Sequence, residues 1–173
     1  MPKIYIGGIG AFAFYGAAMS CFFLPAAGDK YGRYSIYMLT MFLQLPAYVL
    51  CNLTTSLSVI YVLCFYLGVA LIGRFTMCFV MLTECTPKKY QALIGSCFQI
   101  GDCMATLYIT FYFRFLSHNM QALIWFGFAM NLVGCVLSLW IVESPAWLVS
   151  IGDVEKAKAS LAFIAKFNGI NDF

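Results

Sequence analysis

Polar residues break the chain into five apolar runs. Cutting at GDKYGRY, NLTTSL, ECTPKKYQ and SHNMQ leaves Ile4 to Ala26, Tyr34 to Cys51, Ser58 to Thr83, Ala92 to Phe115 and Gln121 to Val142. An α-helix rises 1.5 Å per residue, so about 20 mostly apolar residues cross the roughly 30 Å of a hydrocarbon core. Each run belongs to that class. The pattern predicts an all-α, multi-pass membrane helix bundle, with five transmembrane helices in residues 1–142. The breaks are short, which favours antiparallel neighbours packed in sequence order.

Residues 143–173 follow another pattern. From about Asp153 to Phe167, Val154, Ala157, Leu161 and Ile164 share one helical face, while Glu155, Lys156, Lys158 and Lys166 lie mostly away from it. This predicts an amphipathic helix lying at the inner membrane surface. Asp153 is placed to cap its start, Glu155 and Lys166 complement the helix dipole, and Gly169 suits the left-handed conformation that stops it.

Composition agrees. The chain is 63% apolar and only 10% charged, where a soluble domain carries roughly one charge in four residues. A water-soluble globule and a nucleic-acid-binding tail are thereby excluded, and membrane lipids are the expected surroundings. Alternating the loops across a bilayer puts Lys30, Arg33, Lys88, Lys89, Lys156, Lys158 and Lys166 on one side, against Lys3, Arg114 and His118 on the other. The positive-inside rule then predicts an outer amino terminus and an inner carboxyl terminus. A cleaved signal peptide is not expected. The plasma membrane and the mitochondrial inner membrane are the leading expectations for location.

Catalytic chemistry finds no footing. The 8 cysteines are scattered through apolar runs without a C-x-x-C spacing, so most of them read as buried thiols. His118 has no second histidine with which to share a metal. No metal site, cofactor or enzymatic activity is expected. Asn52, Leu53 and Thr54 form a glycosylation sequon that abuts the membrane, where its expected work is capping the third span with Thr55 and Ser56. Gly7, Gly8, Gly10 and Gly16 to Ala18 are small enough to let another helix approach the first span closely.

The loop GDKYGRYS carries more information. Gly28 and Gly32 are expected to supply a tight turn. Asp29 and Arg33 can pair with each other or with neighbouring loop charges as an inner clasp, or the loop is an ordinary charged turn.

These residues resemble the loop between the second and third spans of the major facilitator superfamily, which reads G-x-x-x-D-[RK]-x-G-R-[RK]. Asp29, Lys30, Gly32 and Arg33 match, whereas Pro25 and Tyr34 depart from it. The stretch LTECTPKKYQALIGSCFQIG resembles the fourth-to-fifth-span segment of organic cation and anion transporters and the related sugar porters, with Glu84, Lys88, Lys89, Tyr90, Gly95 and Gln99 in register. VESPAWLVSIGDVEKAKASLAFIAKFNG resembles the P-E-S-P-R-W-L sequence of these transporters and the inner helix after it. Glu143, Ser144, Pro145, Trp147 and Leu148 match there, while Val142 and Ala146 depart. Gln91 and Cys64 stand where the resemblance implies arginines.

The resemblance implies that the five runs correspond to the second to sixth spans of an amino-terminal half, with the first span and the carboxyl-terminal half absent from the 173 residues. It also implies an inner charge network of Asp29, Lys30, Gly32, Arg33, Glu84, Lys88, Lys89 and Glu143. Two charges lie within the runs. Arg74 and Asp102 each fall roughly 15 Å deep on adjacent antiparallel spans, and Asp102 stands where the resemblance implies an uncharged residue. They are expected to form an intramembrane ion pair, or else a vestigial substrate or proton-coupling site. The favoured functional expectation is a non-catalytic, transporter-derived accessory or scaffold subunit held among other membrane subunits. The alternative is a transporter of organic ions or sugars acting as a dimer or with a separately encoded half.

Overall fold

The computed structural model describes residues 3–167. The apolar runs become α1 (Lys3–Tyr31), α2 (Arg33–Leu53), α3 (Leu57–Cys85), α4 (Gln91–Phe111) and α5 (Met120–Ser138). A short 3-10 turn, Lys88–Tyr90, precedes α4, and a π-helical turn, Tyr112–Leu116, prolongs it. Two further helices follow, α6 (Pro145–Ser150) and α7 (Val154–Phe167). Among the described residues, five helical segments are long and apolar enough to cross a membrane. Even α5, with 19 residues, reaches about 28 Å.

The bundle is built around α3, which packs against both α1 and α2, while α2 also packs on α5. Ile36, Tyr37, Met38 and Met41 of α2 meet Met77 and Met81 of α3 and Cys135 of α5 in the core. Unbranched methionine fills the irregular spaces between crossing helices. Against α1 the approach is closer still. A Cβ built on Gly16 would strike the Phe65 carbonyl, and one on Gly68 would strike the Ala13 carbonyl. Backbone therefore lies directly on backbone, a crossing that small residues permit. Gly8 meets the Tyr61 side chain in the same interface, whereas Gly7 and Gly10 have no such neighbour.

Helix α4 is held differently. Its links to the bundle include aromatic pairs, Phe98 with Phe75 of α3 at 4.7 Å and Tyr108 with Phe126 of α5 at 5.0 Å between ring centroids. Every residue from Gln99 to Phe111 is exposed. Across the bundle, side chains such as Phe14 at 80% and Phe22 at 77% exposure face outward, a surface suited to hydrocarbon.

Local expectations are corrected in three places. Gly28 is not a turn residue, because α1 continues to Tyr31, and its missing Cβ leaves room for the Met77 side chain. The reversal falls on Gly32 alone, at φ 97°, a region that favours glycine. Asn52 does not cap α3. It sits in the last turn of α2, with its amide donating to the Tyr48 carbonyl at 3.3 Å, and Ser56, at the cap position, makes no side-chain capping bond.

The fifth span also stops earlier than Val142. Tight bonds from the N–H groups of Leu139, Trp140 and Ile141 to carbonyls three residues earlier end α5, and the chain turns toward α6. Ser144 caps α6 by accepting from Trp147 N. Asp153 caps α7 by accepting from Lys156 N at 3.2 Å and pairs with its ammonium at 2.7 Å. These hydrogen bonds hold the Asp153 carboxyl below its usual range. Gly169, expected to stop α7, lies outside the described residues.

Candidate functional site

Two polar assemblies interrupt the apolar bundle. The first lies at the end that carries the α1–α2 turn. Arg33, at the start of α2, pairs with Asp29 of α1 at 3.2 Å and with Glu84 near the end of α3. The other Glu84 oxygen accepts from Ser144 Oγ at 2.5 Å, and Trp147 Nε1 donates to the Asp29 carbonyl at 2.8 Å. Four helices, α1, α2, α3 and α6, are thus tied through one cluster.

Glu143 completes it without an ion pair. Its Oε1 accepts from the backbone N–H groups of Arg33 at 3.1 Å, Tyr34 at 3.0 Å and Ser144 at 3.2 Å. The carboxylate therefore caps the amino terminus of α2, where the helix dipole favours a negative charge. A Cβ on Gly32 would lie 2.6 Å from Glu143 Oε2, so this position needs glycine for space as well as for its φ. Glu143→Ala is expected to destabilise the fold by about 2 kcal/mol, and Glu143→Gln, which keeps an acceptor, by less than about 1 kcal/mol. Thermal unfolding of the detergent-solubilised chain checks the order.

Of the residues expected in this network, Asp29, Gly32, Arg33, Glu84 and Glu143 come together. Lys30, Lys88 and Lys89 do not join the cluster. All three are exposed, with the Lys30 and Lys89 ammonium groups over the rings of Tyr31 and Tyr90 at 5.1 and 5.6 Å. Gln91 bonds to the Thr83 and Thr86 carbonyls at 2.8 and 3.3 Å and so satisfies the carboxyl end of α3.

The second assembly lies within the spans. Gln44 of α2 is 1% exposed. Its Oε1 accepts from Arg74 Nη1 of α3 at 3.1 Å and from Asn131 Nδ2 of α5 at 2.8 Å, and its Nε2 donates to Tyr48 Oη at 3.1 Å. Cys135 donates weakly to Asn131 Oδ1 at 3.6 Å. Arg74 and Asp102 do not form the expected direct pair. The structure brings them instead to one open cavity of about 1080 Å³ between α2, α3, α4 and α5, which both residues line with Tyr48 and Asn131.

Gln44 and Asn131 escaped the sequence reading, which searched the spans for charges. Neutral amides in mid-span also need partners at membrane depth, and both were visible on that criterion. No group of three or more metal-ligating side chains occurs among the described residues.

The family model of sugar (and other) transporters matches residues 2–171. A solute carrier family 22 member 15-like protein of Xenopus laevis is 30% identical over 159 residues, covering 91% of this chain and 32% of the relative. Organic cation/carnitine transporter 2 of Rattus norvegicus is 28% identical over 163 residues, 91% of this chain and 28% of its own length. Solute carrier family 22 member 3 of Mus musculus is 30% identical over 157 residues, 89% of this chain and 28% of its own. The chain thus spans about three tenths of the length of these relatives.

Proposed function

We infer the role of this chain from one premise: it belongs to the sugar (and other) transporter family of the major facilitator superfamily. It is an integral multi-pass membrane protein. Its five spans form part of the amino-terminal half of a carrier for small organic solutes, organic ions or sugars, and the mid-bundle cavity is its share of the translocation path. The observation that carries this reading is the polar network of Gln44, Arg74 and Asn131 set at the wall of that cavity. Polar groups within a membrane are costly and mark solute paths. In such carriers the site lies between two halves that rock against each other. The cavity is accordingly closed by further spans, on the same polypeptide or another. The Asp29, Arg33, Glu84 and Ser144 cluster acts as a clasp on the cytoplasmic side, which follows from the basic residues at that end.

A second reading, an accessory or scaffold subunit of a larger membrane assembly, draws on the wholly exposed stretch of α4. Gln99, Asp102, Thr106 and Thr110 lie there among apolar residues, and such polar groups favour a protein neighbour over lipid.

Uptake of labelled organic cations, organic anions and sugars by the cells that naturally make the chain, which also hold the spans that close its cavity, separates the two. Saturable uptake that Arg74→Gln abolishes is the expected result. Recovery in a much heavier complex without uptake supports the scaffold reading. Orientation is tested in the same cells. An impermeant maleimide labels Thr55→Cys in intact cells and Ser150→Cys only after permeabilisation, above the native cysteine background. Labelling of both from one side overturns the topology.

A further inference from the structure

We propose that the bundle holds one anionic phospholipid at the end that carries α6 and α7. An acyl chain of the lipid lies in a second, apolar cavity, and its phosphate rests on Lys88, Lys89 and Lys166.

The cavity measures about 400 Å³. Its walls are the last two turns of α3, the turn after α5 and the carboxyl end of α7, with Cys78, Met81, Cys85, Trp140, Phe163 and Phe167 in the lining. From Cys85 to Cys78 it reaches about 10 Å along α3 into the bundle. It adjoins the mid-bundle cavity through Tyr37 and Cys78 but shares none of the charged or amide groups there. No charged side chain lines it among the described residues, and the Tyr37 hydroxyl is already bonded to Ser138 Oγ at 2.9 Å. A methylene group fills nearly the volume of a water molecule in the liquid, about 30 Å³, so the space takes roughly a dozen methylenes. That is most of one acyl chain.

Helix α7 packs on α6 and faces the ends of α3 and α5 across this space. The rim is apolar and open, with Trp140 67% and Phe167 86% exposed. Tyr31 and Tyr90 are exposed at the same end, and such aromatic rings settle at headgroup level.

The mouth is also basic. Lys88 and Lys89 follow Cys85 closely, and Lys166 adjoins Phe167. All three are exposed and have no carboxylate within 4.0 Å among the described residues. Neighbouring carboxylates are engaged: Glu84 by Arg33 and Ser144, Glu143 by the N–H groups of α2, and Asp153 by Lys156. Glu155 stands about 16 Å along α7 from Lys166. A phosphodiester therefore meets cations without a competing anion. A lysine beside an anionic headgroup contributes about fivefold in affinity, whereas a zwitterionic lipid brings its own cation to the same lysines and gains less. A protein segment seated in the cavity would bury backbone polar groups among side chains that offer them no partner.

The full chain is reconstituted in phosphatidylcholine vesicles that carry, as a minor component, phosphatidylserine or phosphatidylcholine with a diazirine on one acyl chain. After illumination, adducts are located by peptide mass spectrometry. The exposed stretch of α1 from Phe12 to Phe23 gives the baseline for bilayer contact. Relative to it, adducts on Cys78 to Cys85 and on Phe163 to Phe167 are expected to be at least about tenfold more abundant from phosphatidylserine than from phosphatidylcholine. Combining Lys88→Gln, Lys89→Gln and Lys166→Gln is expected to bring that ratio to about twofold or less.

Leu82→Trp fills the cavity from a position 38% exposed and is expected to lower the adducts of both lipids there severalfold. An unchanged α1 pattern verifies that each variant keeps the fold, and Cys85→Phe at the exposed rim replaces Leu82→Trp where it does not. Equal ratios for the two lipids, a preference that survives the lysine changes, adducts no denser than the α1 baseline, or adducts unmoved by filling the cavity each overturn the proposal. In native membranes, a protein cross-linked to Phe163 to Phe167 in place of lipid overturns it too. These ratios do not depend on uptake, so loss of the carrier reading leaves the lipid site standing.

Discussion

Gln44→Leu destabilises the chain by about 3 kcal/mol or more, although leucine has nearly the same size and suits a membrane span. The loss arises from what the change leaves behind. Gln44 is 1% exposed and its oxygen accepts from both Arg74 and Asn131, so removing it strands a guanidinium and an amide together. Arg74 is half-buried within the spans, and a charged donor there without its acceptor is a costly defect. The double variant Gln44→Leu with Arg74→Leu should recover a good part of the loss, since the stranded charge goes with its partner. Thermal unfolding of the four members of the cycle in one detergent measures the coupling. Additive losses would mean that the 3.1 Å contact carries no energy of its own. Three spans, α2, α3 and α5, are pinned through this one amide, so the same variant is expected to increase labelling of the buried Cys135.

Gly68→Ala has a comparable effect from a single methyl group. The added Cβ would collide with the Ala13 backbone carbonyl, and a backbone atom cannot swing aside as a side chain does. Helices α1 and α3 must separate along the crossing that also holds Gly16 against the Phe65 carbonyl. Overpacking of a well-packed interior typically costs about 1 to 3 kcal/mol, and this collision belongs at the upper end. Gly10→Ala on α1 is the matched control. A Cβ there meets nothing within 4 Å, so it should be neutral or stabilising by up to about 1 kcal/mol through helix propensity. The ranking of the two alanines by unfolding temperature, or by survival of the monodisperse peak on size exclusion, decides the matter. Equal behaviour would sink the backbone-contact account of the α1–α3 interface.

The legible part of this protein is its one-dimensional part. Apolar runs of membrane-spanning length, broken by short polar turns, determined an all-α bundle with five spans, because hydrocarbon thickness sets the run length a helix needs. The loop residues Asp29 and Arg33 stand on either side of Gly32, so the turn between α1 and α2 itself brings them within reach of each other. Asp153 ahead of α7 is legible for the same local reason.

Rotation about each helix axis was not legible. Depth in the bilayer follows from position within a run, and by depth Arg74 and Asp102 match. Whether two side chains at one depth touch depends on the direction each helix turns, and packing decides that. Gly16 and Gly68 let α1 lie directly on α3, and α3 presents Arg74 to Gln44 of α2. Helix α4, held through Phe98 and Tyr108, leaves Asp102 across a cavity instead of against the arginine. Gly28 was misread for a related reason. A glycine beside charged residues reads locally as a turn, but here the helix continues through it, and its bare Cα makes room for Met77 of another span. The sequence by itself determined that five long apolar helices and the amphipathic α7 form, since that depends on residues close together along the chain. Only the tertiary structure decided which polar groups share a partner, because that depends on helix rotation, set by contacts between residues far apart in sequence.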